Sequence, residues 1–225
     1  RIISFHNFLM VISVAIALFV TVLLAYVMIR FRASRNPTPS KTTHNALIEV
    51  TWTVVPIIIL VVIAFPSFKL LYYMDKTNDP EMTLKVIGHQ WYWSYEYPDH
   101  GEFAFDSILI EEADLQPGQE RLLHTDNEVV LPVDTNIRIL VTADDVLHNW
   151  ALPSFGIKMD AVPGQLNETW VRITKPGLFY GMCSELCGVR HAFMPITVRA
   201  VSKEKFAKWV EKAKSEFASK DDKGF

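Results

Sequence analysis

The residues of this sequence best suited to carry chemistry are two cysteines and the histidine and methionine that follow them. Cys183, Cys187, His191 and Met194 fall within one short segment, and His148 lies upstream of it. Sulfur donors favour copper(I), imidazole nitrogens bind both common states of copper, and together these side chains form copper electron-transfer sites. This set therefore predicts a copper site that carries electrons.

The second cysteine distinguishes this set from a site for a single copper ion. A mononuclear electron-transfer site of this type uses one cysteine, whereas Cys183 and Cys187 are both available here. Because each sulfur can bridge two metal ions, we expect a dinuclear copper site. Two alternatives remain open, a disulfide between the cysteines and a zinc site of two cysteines and two histidines. Zinc gives Met194 no role, and a disulfide leaves the other clustered donors unexplained.

Two long apolar runs near the start of the chain predict membrane helices. Residues 2–29 and 50–68 contain no Lys, Arg, Asp or Glu, and each is long enough to cross about 30 Å of hydrocarbon as a helix. We place the helices at about residues 5–30 and 46–73, in a hairpin that covers residues 1–75. The alternative, a buried core helix, rarely has more than about 14 consecutive apolar residues.

The connector between the two runs predicts their orientation. It carries Arg30, Arg32, Arg35 and Lys41 and no acidic residue. Short basic loops stay on the cytoplasmic side of a membrane. The chain is therefore predicted to be an integral membrane protein with two spans, and its remainder is expected on the outer face, in a bacterial periplasm or a mitochondrial intermembrane space.

Residues 76–202 have the pattern of an all-β domain, and residues 203–225 that of a helix with a tail. Short β-rich runs, among them residues 84–86, 137–142, 169–173 and 196–201, are separated by Pro-Gly pairs at 117–118, 163–164 and 176–177. This spacing predicts a sandwich or a Greek-key barrel. Farther on, apolar residues recur at helical spacing and predict an amphipathic helix packed on that domain; they are Phe206, Trp209, Val210, Ala213 and Phe217.

The metal-binding residues resemble the CuA motif of subunit II of cytochrome c oxidase, which is represented here by His148, the run Cys183-Ser-Glu-Leu-Cys187-Gly, His191 and Met194. The hairpin, the aromatic run 88–97 and the segment 145–148 resemble the same family, so the likeness covers nearly the whole chain. It implies a cupredoxin-like Greek-key barrel on a two-helix anchor, similar to bacterial aa3-type oxidases. Nitrous oxide reductases share the copper motif but are not similar in the anchor or the aromatic run.

The resemblance implies a role for each metal-binding residue. In the family, two cysteines bridge the copper ions, each histidine binds one ion, and a methionine and a backbone carbonyl complete the coordination. These roles fall here on Cys183, Cys187, His148, His191, Met194 and Glu185. The Glu185 side chain would also bind a magnesium ion shared with subunit I, because carboxylates suit such oxygen-preferring cations; its alternative role is a solvated loop carboxylate.

The resemblance also implies partners and an electron route. Family members take electrons from cytochrome c and pass them to haem a in subunit I, which also holds haem a3 and CuB and reduces oxygen to water as protons are pumped. The chain is thus expected to work only within an enzyme complex that includes other oxidase subunits. Trp91 matches the tryptophan where electrons enter, with packing in an aromatic strand as the alternative. Glu49 matches a glutamate at a proton-pathway entrance, with a membrane-boundary residue as the alternative.

The outer domain has a charge balance suited to a basic partner. Residues 75–200 contain nineteen acidic and nine basic side chains, although the formal net charge of the chain is only -3. A negative surface steers a basic protein toward it, which suits cytochrome c, and this balance gives no indication of a nucleic-acid partner. The acids predicted to dock cytochrome c, each with simple solvation as its alternative, are Glu96, Asp99, Glu102, Asp114, Asp144 and Asp145.

Two other functions fit parts of the sequence. A quinol oxidase subunit II keeps the hairpin and the barrel but lacks the copper ligands, all of which are present here. A membrane-tethered copper carrier would deliver copper to another protein and needs an exchangeable site. The several convergent donors of this chain predict a closed site instead.

Overall fold

The computed structural model describes residues 1–75 and 79–217. The chain divides into two units, Arg1–Tyr73 and Met74–Phe225. The predicted start of the β domain at residues 76–78 and the predicted tail at residues 218–225 lie outside the described residues.

The first unit contains two long helices, α1 (Ile2–Arg30) and α2 (Ala46–Asp75). Each contains an 18-residue stretch of high mean hydropathy, 2.9 in α1 and 2.5 in α2, and neither helix has a buried residue. Their apolar side chains therefore face outward all round, as expected of helices that are solvated by lipid. Both predicted spans are present, and the helices are slightly longer than predicted.

The start of α2 is capped by its own side chains. The Asn45 carboxamide oxygen accepts hydrogen bonds from the backbone N–H groups of Leu47 (3.1 Å) and Ile48 (3.3 Å). The Glu49 carboxylate in turn accepts one from the backbone N–H of Asn45 (3.1 Å). This reciprocal arrangement resembles a capping box and satisfies donors that have no partner within the helix.

The second unit is a β domain. Within the described residues its strands are β1 (Met82–His89), β2 (Tyr92–Tyr97), β3 (Phe103–Ser107), β4 (Val129–Pro132), β5 (Ile137–Ala143), β6 (His148–Leu152), β7 (Ile157–Ala161), β8 (Asn167–Val171), β9 (Gly177–Cys183) and β10 (Pro195–Val201). The run predicted at residues 169–173 begins and ends two residues earlier, as β8. The chain leaves the sheet after Val171, and the Ile173 carbonyl accepts a hydrogen bond from the Asp134 N–H instead (2.8 Å).

The strands form two five-stranded sheets with the orders β3-β2-β1-β5-β8 and β4-β10-β9-β6-β7. The pairs β1–β5 and β10–β4 are parallel, and the other pairs are antiparallel. Alternate residues of β2 and β5 are buried, as expected of strands with one face on a core. The two sheets share one hydrophobic core, which confirms the predicted all-β class as a two-sheet sandwich.

The predicted amphipathic helix is present as α3 (Lys203–Phe217), and it buries Phe206, Val210 and Ala213. Its Trp209 ring lies 5.2 Å from the ring of Tyr97. The helix thus extends the core at the end of the domain where β2 and β3 meet their connecting turn. The residues that could bind metal lie elsewhere, on β6, on β9 and in the loop between β9 and β10.

Candidate metal centre

His148, the first residue of β6, is completely buried and held on several sides. Its ring packs on Gly88 of β1, where a Cβ atom would lie 2.8 Å from the ring carbon Cδ2. The Trp93 ring meets it edge-on, with 5.9 Å between the ring centroids. Its Nε2 atom lies 2.8 Å from an oxygen of Asp145. These contacts leave Nδ1 as the atom that faces the cysteines.

The two cysteines lie beside this ring. Cys183 is the last residue of β9, Cys187 lies in the following loop, and both side chains are buried. Their sulfurs are 3.8 Å apart, and the Cys183 sulfur is 4.0 Å from Nδ1 of His148. Among the described residues, His148 and the two cysteines form a group whose ligand atoms all lie within 4.8 Å of one another.

The residues of the remaining predicted ligands lie next to the two cysteines. Nδ1 of His191 is 3.5 Å from the Cys187 sulfur, and the backbone carbonyl of Glu185 is 3.3 Å from the Cys183 sulfur. Met194 is buried, and its carbonyl accepts a hydrogen bond from the Cys183 N–H (3.0 Å). The structure therefore brings all the predicted copper ligands into one region.

The two thiols differ in acidity. Burial raises the pKa of Cys183, but hydrogen bonds with His148 and with backbone groups outweigh it and lower the pKa to about 7. Burial and the neighbouring Cys183 raise the pKa of Cys187 to about 12. Burial lowers the pKa of His148, but its hydrogen bonds with Cys183 and Asp145 outweigh that effect and raise it. The first thiol therefore loses its proton more readily than the second.

This donor set fits copper. Both cysteines are free thiols, and a disulfide would require the sulfurs to be about 2 Å apart. Two buried sulfurs with an imidazole nitrogen facing them form a soft donor set, which favours copper over hard cations. The buried Met194 adds a donor that structural zinc sites do not use.

Comparison with known proteins agrees with the two-part organisation. Residues 1–70 match the family model for the transmembrane domain of cytochrome C oxidase subunit II. Residues 82–201 match the model for its periplasmic domain. The chain belongs to the cytochrome c oxidase subunit II family. In this family α1 and α2 are the membrane-spanning helices.

Individual relatives place the chain within this family. A probable cytochrome c oxidase subunit 2 of Rickettsia felis is 55% identical over 92% of this chain, and the match spans 65% of that relative. The subunit 2 of Phytophthora megasperma is 52% identical over 93% of the chain and 81% of the relative. The chain thus spans slightly less than two thirds of the length of the Rickettsia felis relative.

A solved structure resembles the β domain. The periplasmic domain of subunit II of cytochrome oxidase (CoxB) of Bradyrhizobium japonicum is 55% identical, with a TM-score of 0.59. The match covers 63% of this chain and 99% of that domain. The β domain described above is therefore the family's periplasmic fold.

The half-buried Trp91 lies beside the candidate metal centre of this subunit II chain. Its indole N–H donates a hydrogen bond to the backbone carbonyl of Cys187 (3.2 Å). The neighbouring Gln90 donates to the same carbonyl through its side chain (2.8 Å). The turn between β1 and β2 is thus bonded directly to the loop that carries Cys187.

Asp145 was predicted to dock cytochrome c, but its oxygens have partners within the domain. One oxygen contacts Nε2 of His148, and that oxygen also accepts the N–H of Val146 (2.6 Å). The other accepts the N–H of Gln90 (2.6 Å). Burial raises its pKa, but these hydrogen bonds outweigh burial and lower the pKa. Sequence reasoning missed this contact, although the spacing of three residues from His148 was a signal for it.

The other predicted docking acids are spread over the domain. Glu96 pairs with Lys85 (3.0 Å), and Asp99 accepts a hydrogen bond from the N–H of Thr83 (2.6 Å). Asp144 is largely exposed, 3.8 Å from His89. Glu102 and Asp114 are also exposed. A docking role for these acids stays a prediction.

Glu49 lies in the helical unit, and the described hydrogen bond of its side chain is the one that caps α2. That contact gives it a structural role at the start of the helix. The Glu185 side chain is exposed, so it is available to a partner or a cation. The proton-pathway and magnesium roles of these two residues stay predictions.

Proposed function

We propose that this chain accepts electrons from cytochrome c at a dinuclear copper centre and passes them to haem a in subunit I of a cytochrome c oxidase. The observation that carries this proposal is the hydrogen bond between the Trp91 indole and the Cys187 carbonyl (3.2 Å). It connects a half-exposed aromatic ring to a residue of the candidate centre through one contact. Electrons from a protein docked over Trp91 would thus have a short route to the buried sulfurs.

The copper would be held by side chains that the fold already brings together. The sulfurs of Cys183 and Cys187 would hold the ions together with an imidazole nitrogen from each of His148 and His191. The Met194 thioether and the Glu185 carbonyl would be weaker ligands. Bound copper would supply a one-electron redox couple.

The protein's own contribution is to hold these donors still and to keep water away. The His148 ring lies between Gly88, Trp93 and Asp145, so it has little freedom to turn. The buried sulfurs are shielded from solvent. A rigid, dry site changes little when one charge is added or removed, and this favours rapid electron transfer.

Orientation and partners follow from the two units. The basic connector would lie on the cytoplasmic side, so the β domain would face the periplasm or the intermembrane space, where cytochrome c is found. Its excess of acidic residues would steer that basic protein. The exposed Glu185 carboxylate would bind magnesium at the contact with subunit I, which would hold haem a, haem a3 and CuB and reduce oxygen. The intact copper ligands disfavour a quinol oxidase subunit, and the burial of His148, Cys183, Cys187 and Met194 disfavours a copper carrier.

The experiment is to measure how fast reduced cytochrome c reduces the copper-loaded oxidase that contains Trp91→Phe. Phenylalanine keeps an aromatic ring but removes the donor to Cys187. We expect electron transfer to slow by about tenfold, which corresponds to about 1.4 kcal/mol, with an unchanged copper spectrum and salt dependence. Trp170→Phe, on β8, is the matched control, and the oxidase that contains it should be reduced by cytochrome c at the wild-type rate. Equal rates for the two variants would contradict the proposed route.

A further inference from the structure

Gln90, in the turn between β1 and β2, makes two hydrogen bonds that lead to opposite sides of the candidate centre. Its backbone N–H donates to an oxygen of Asp145 (2.6 Å). Its side-chain amide donates to the backbone carbonyl of Cys187 (2.8 Å). One surface residue therefore contacts both the side of the centre that contains His148 of β6, called here the strand side, and the side that contains Cys187 and His191, called the loop side.

On the strand side, Gln90 acts through Asp145. The Asp145 carboxylate lies between the backbone of Gln90 and Nε2 of His148, which is 2.8 Å from its other oxygen. A carboxylate held at both oxygens has a fixed position, and it fixes the plane and tautomer of the imidazole bonded to it. Nδ1 of His148 is then left to face the Cys183 sulfur.

On the loop side, Gln90 acts on Cys187 itself. The Cys187 carbonyl accepts from both the Gln90 amide and the Trp91 indole, and a carbonyl oxygen has two lone pairs. The next residue, Gly188, has φ +118, and a Cβ atom there would lie 3.1 Å from the Gln90 amide nitrogen. The glycine thus leaves room for Gln90 to approach the loop.

We propose that Gln90 is a positioning residue of the metal centre. It fixes the position of the loop that carries Cys187 relative to His148. Its hydrogen bonds go to Asp145 and to the Cys187 carbonyl, neither of which is a predicted copper-binding atom. Its function is to keep two ligands that come from different elements at a constant separation. This inference rests on the proposed copper function.

The test is Gln90→Leu in the full chain, loaded with copper in detergent. Leucine is similar in size and keeps the backbone N–H to Asp145, but it has no donor for the Cys187 carbonyl. Because outer hydrogen-bond partners of metal ligands commonly contribute tenfold or more to affinity, we expect copper release to a chelator to accelerate by about tenfold. The copper hyperfine pattern in electron paramagnetic resonance should also change.

Two further variants make the test specific. Gln165→Leu removes an exposed glutamine whose amide bonds only to Asn167 among the described residues, and it should release copper at the wild-type rate. Gln90→Glu keeps the shape but directs a carboxylate oxygen at the Cys187 carbonyl. It should release copper faster than Gln90→Leu, because two acceptors repel each other.

The outcomes separate this inference from the proposed function. If the wild-type chain binds no copper pair, the proposed function fails first. If the wild-type chain binds it and Gln90→Leu has the same release rate and spectrum, only the positioning role of Gln90 is overturned. A variant that changes nothing but the salt-dependent reaction with cytochrome c would make Gln90 a docking residue and would also overturn this inference.

Discussion

The two histidines of the candidate centre are held in different ways. His148 starts a strand, is completely buried, and is fixed by Gly88, Trp93 and Asp145. His191 is half-buried in a loop, and its described contacts are the Cys187 sulfur (3.5 Å) and a backbone bond from its N–H to the Gly188 carbonyl (3.1 Å). His148 thus belongs to the strand side and His191 to the loop side.

The difference indicates which part of the site sets its geometry. The strand side is built into the core, so its position is determined by folding of the whole domain. The loop side is positioned by a few local contacts and by Gln90. Changes to the strand side should therefore cost both stability and metal affinity, whereas changes to the loop side should mainly affect the metal.

The largest expected effect comes from a residue that joins the two sides. If both sulfurs bridge the coppers, Cys183→Ser should abolish the coupled copper signal, and Cys187→Ser should do the same. Ser184→Ala, at the exposed neighbour of Cys183, is the control and should keep it. Retention of two coupled coppers in Cys183→Ser, seen by electron paramagnetic resonance, would show that the Cys183 sulfur is not a bridge between the two coppers.

Asp145→Asn tests the strand side at its outer contact. It removes the charge that orients His148 without changing size, and such changes typically weaken metal binding by about 10- to 100-fold. The adjacent Asp144→Asn is the matched control, because Asp144 is 79% exposed and does not contact a predicted ligand. Competition with a copper chelator measures both affinities. Equal affinities would show that Asp145 does not support the site.

Gly88→Ala should push the His148 ring out of position. The added methyl group would lie 2.8 Å from the ring, and overpacking of this kind costs about 1–3 kcal/mol. Thermal unfolding followed by near-ultraviolet circular dichroism should show a lower midpoint. Gly177→Ala is the control, since its added atom would meet Phe179 at an ordinary 3.4 Å. An unchanged midpoint for Gly88→Ala would contradict the close packing of the His148 ring on Gly88.

The fold class and the clustering of the candidate ligands could be predicted from the sequence because both depend on local patterns. The uncharged runs predict the two helices, and Cys183, Cys187 and Met194 lie within one short segment, which predicts that they meet. The parallel pairing of β1 with β5 could not be predicted, since it joins distant segments without a local signal. The same holds for Gly88, whose role depends on a ring that comes from another strand.

Some residues have structural roles that charge alone did not indicate. The sequence predicts that Asp145 docks cytochrome c and that Glu49 is a proton-pathway entrance or a membrane-boundary residue. Asp145 bonds to His148, and Glu49 caps α2. Both contacts depend on the direction of the side chain. The sequence alone does not reveal whether a carboxylate faces solvent or a backbone N–H.

The pKa values of the two thiols predict how copper binding depends on pH. With a pKa of about 7, Cys183 has mostly lost its proton at about pH 8, whereas Cys187, with a pKa of about 12, still holds one. Because copper binds thiolates, it must displace these protons. Proton release per chain should rise by about one as pH falls from about 8 to 6, with a further contribution from His148, and affinity should fall. Release that does not vary with pH would contradict the assigned acidities.

The smallest effect is expected from Met194→Leu. Leucine fills a similar volume in the buried site, so stability should change by less than about 1.5 kcal/mol. The thioether is a weak ligand, and its loss should shift the reduction potential while copper is retained. Redox titration of the copper absorption measures this shift. An unchanged potential and spectrum would exclude Met194 as a ligand.

The central claim is that the strand side and the loop side together hold one pair of coppers that share an electron. Its most direct test is electron paramagnetic resonance with metal analysis on the full chain, loaded with copper and partly oxidised. We expect two coppers per chain and one unpaired electron with hyperfine coupling to both nuclei. A hyperfine pattern from a single copper nucleus, or no bound copper, would contradict the claim.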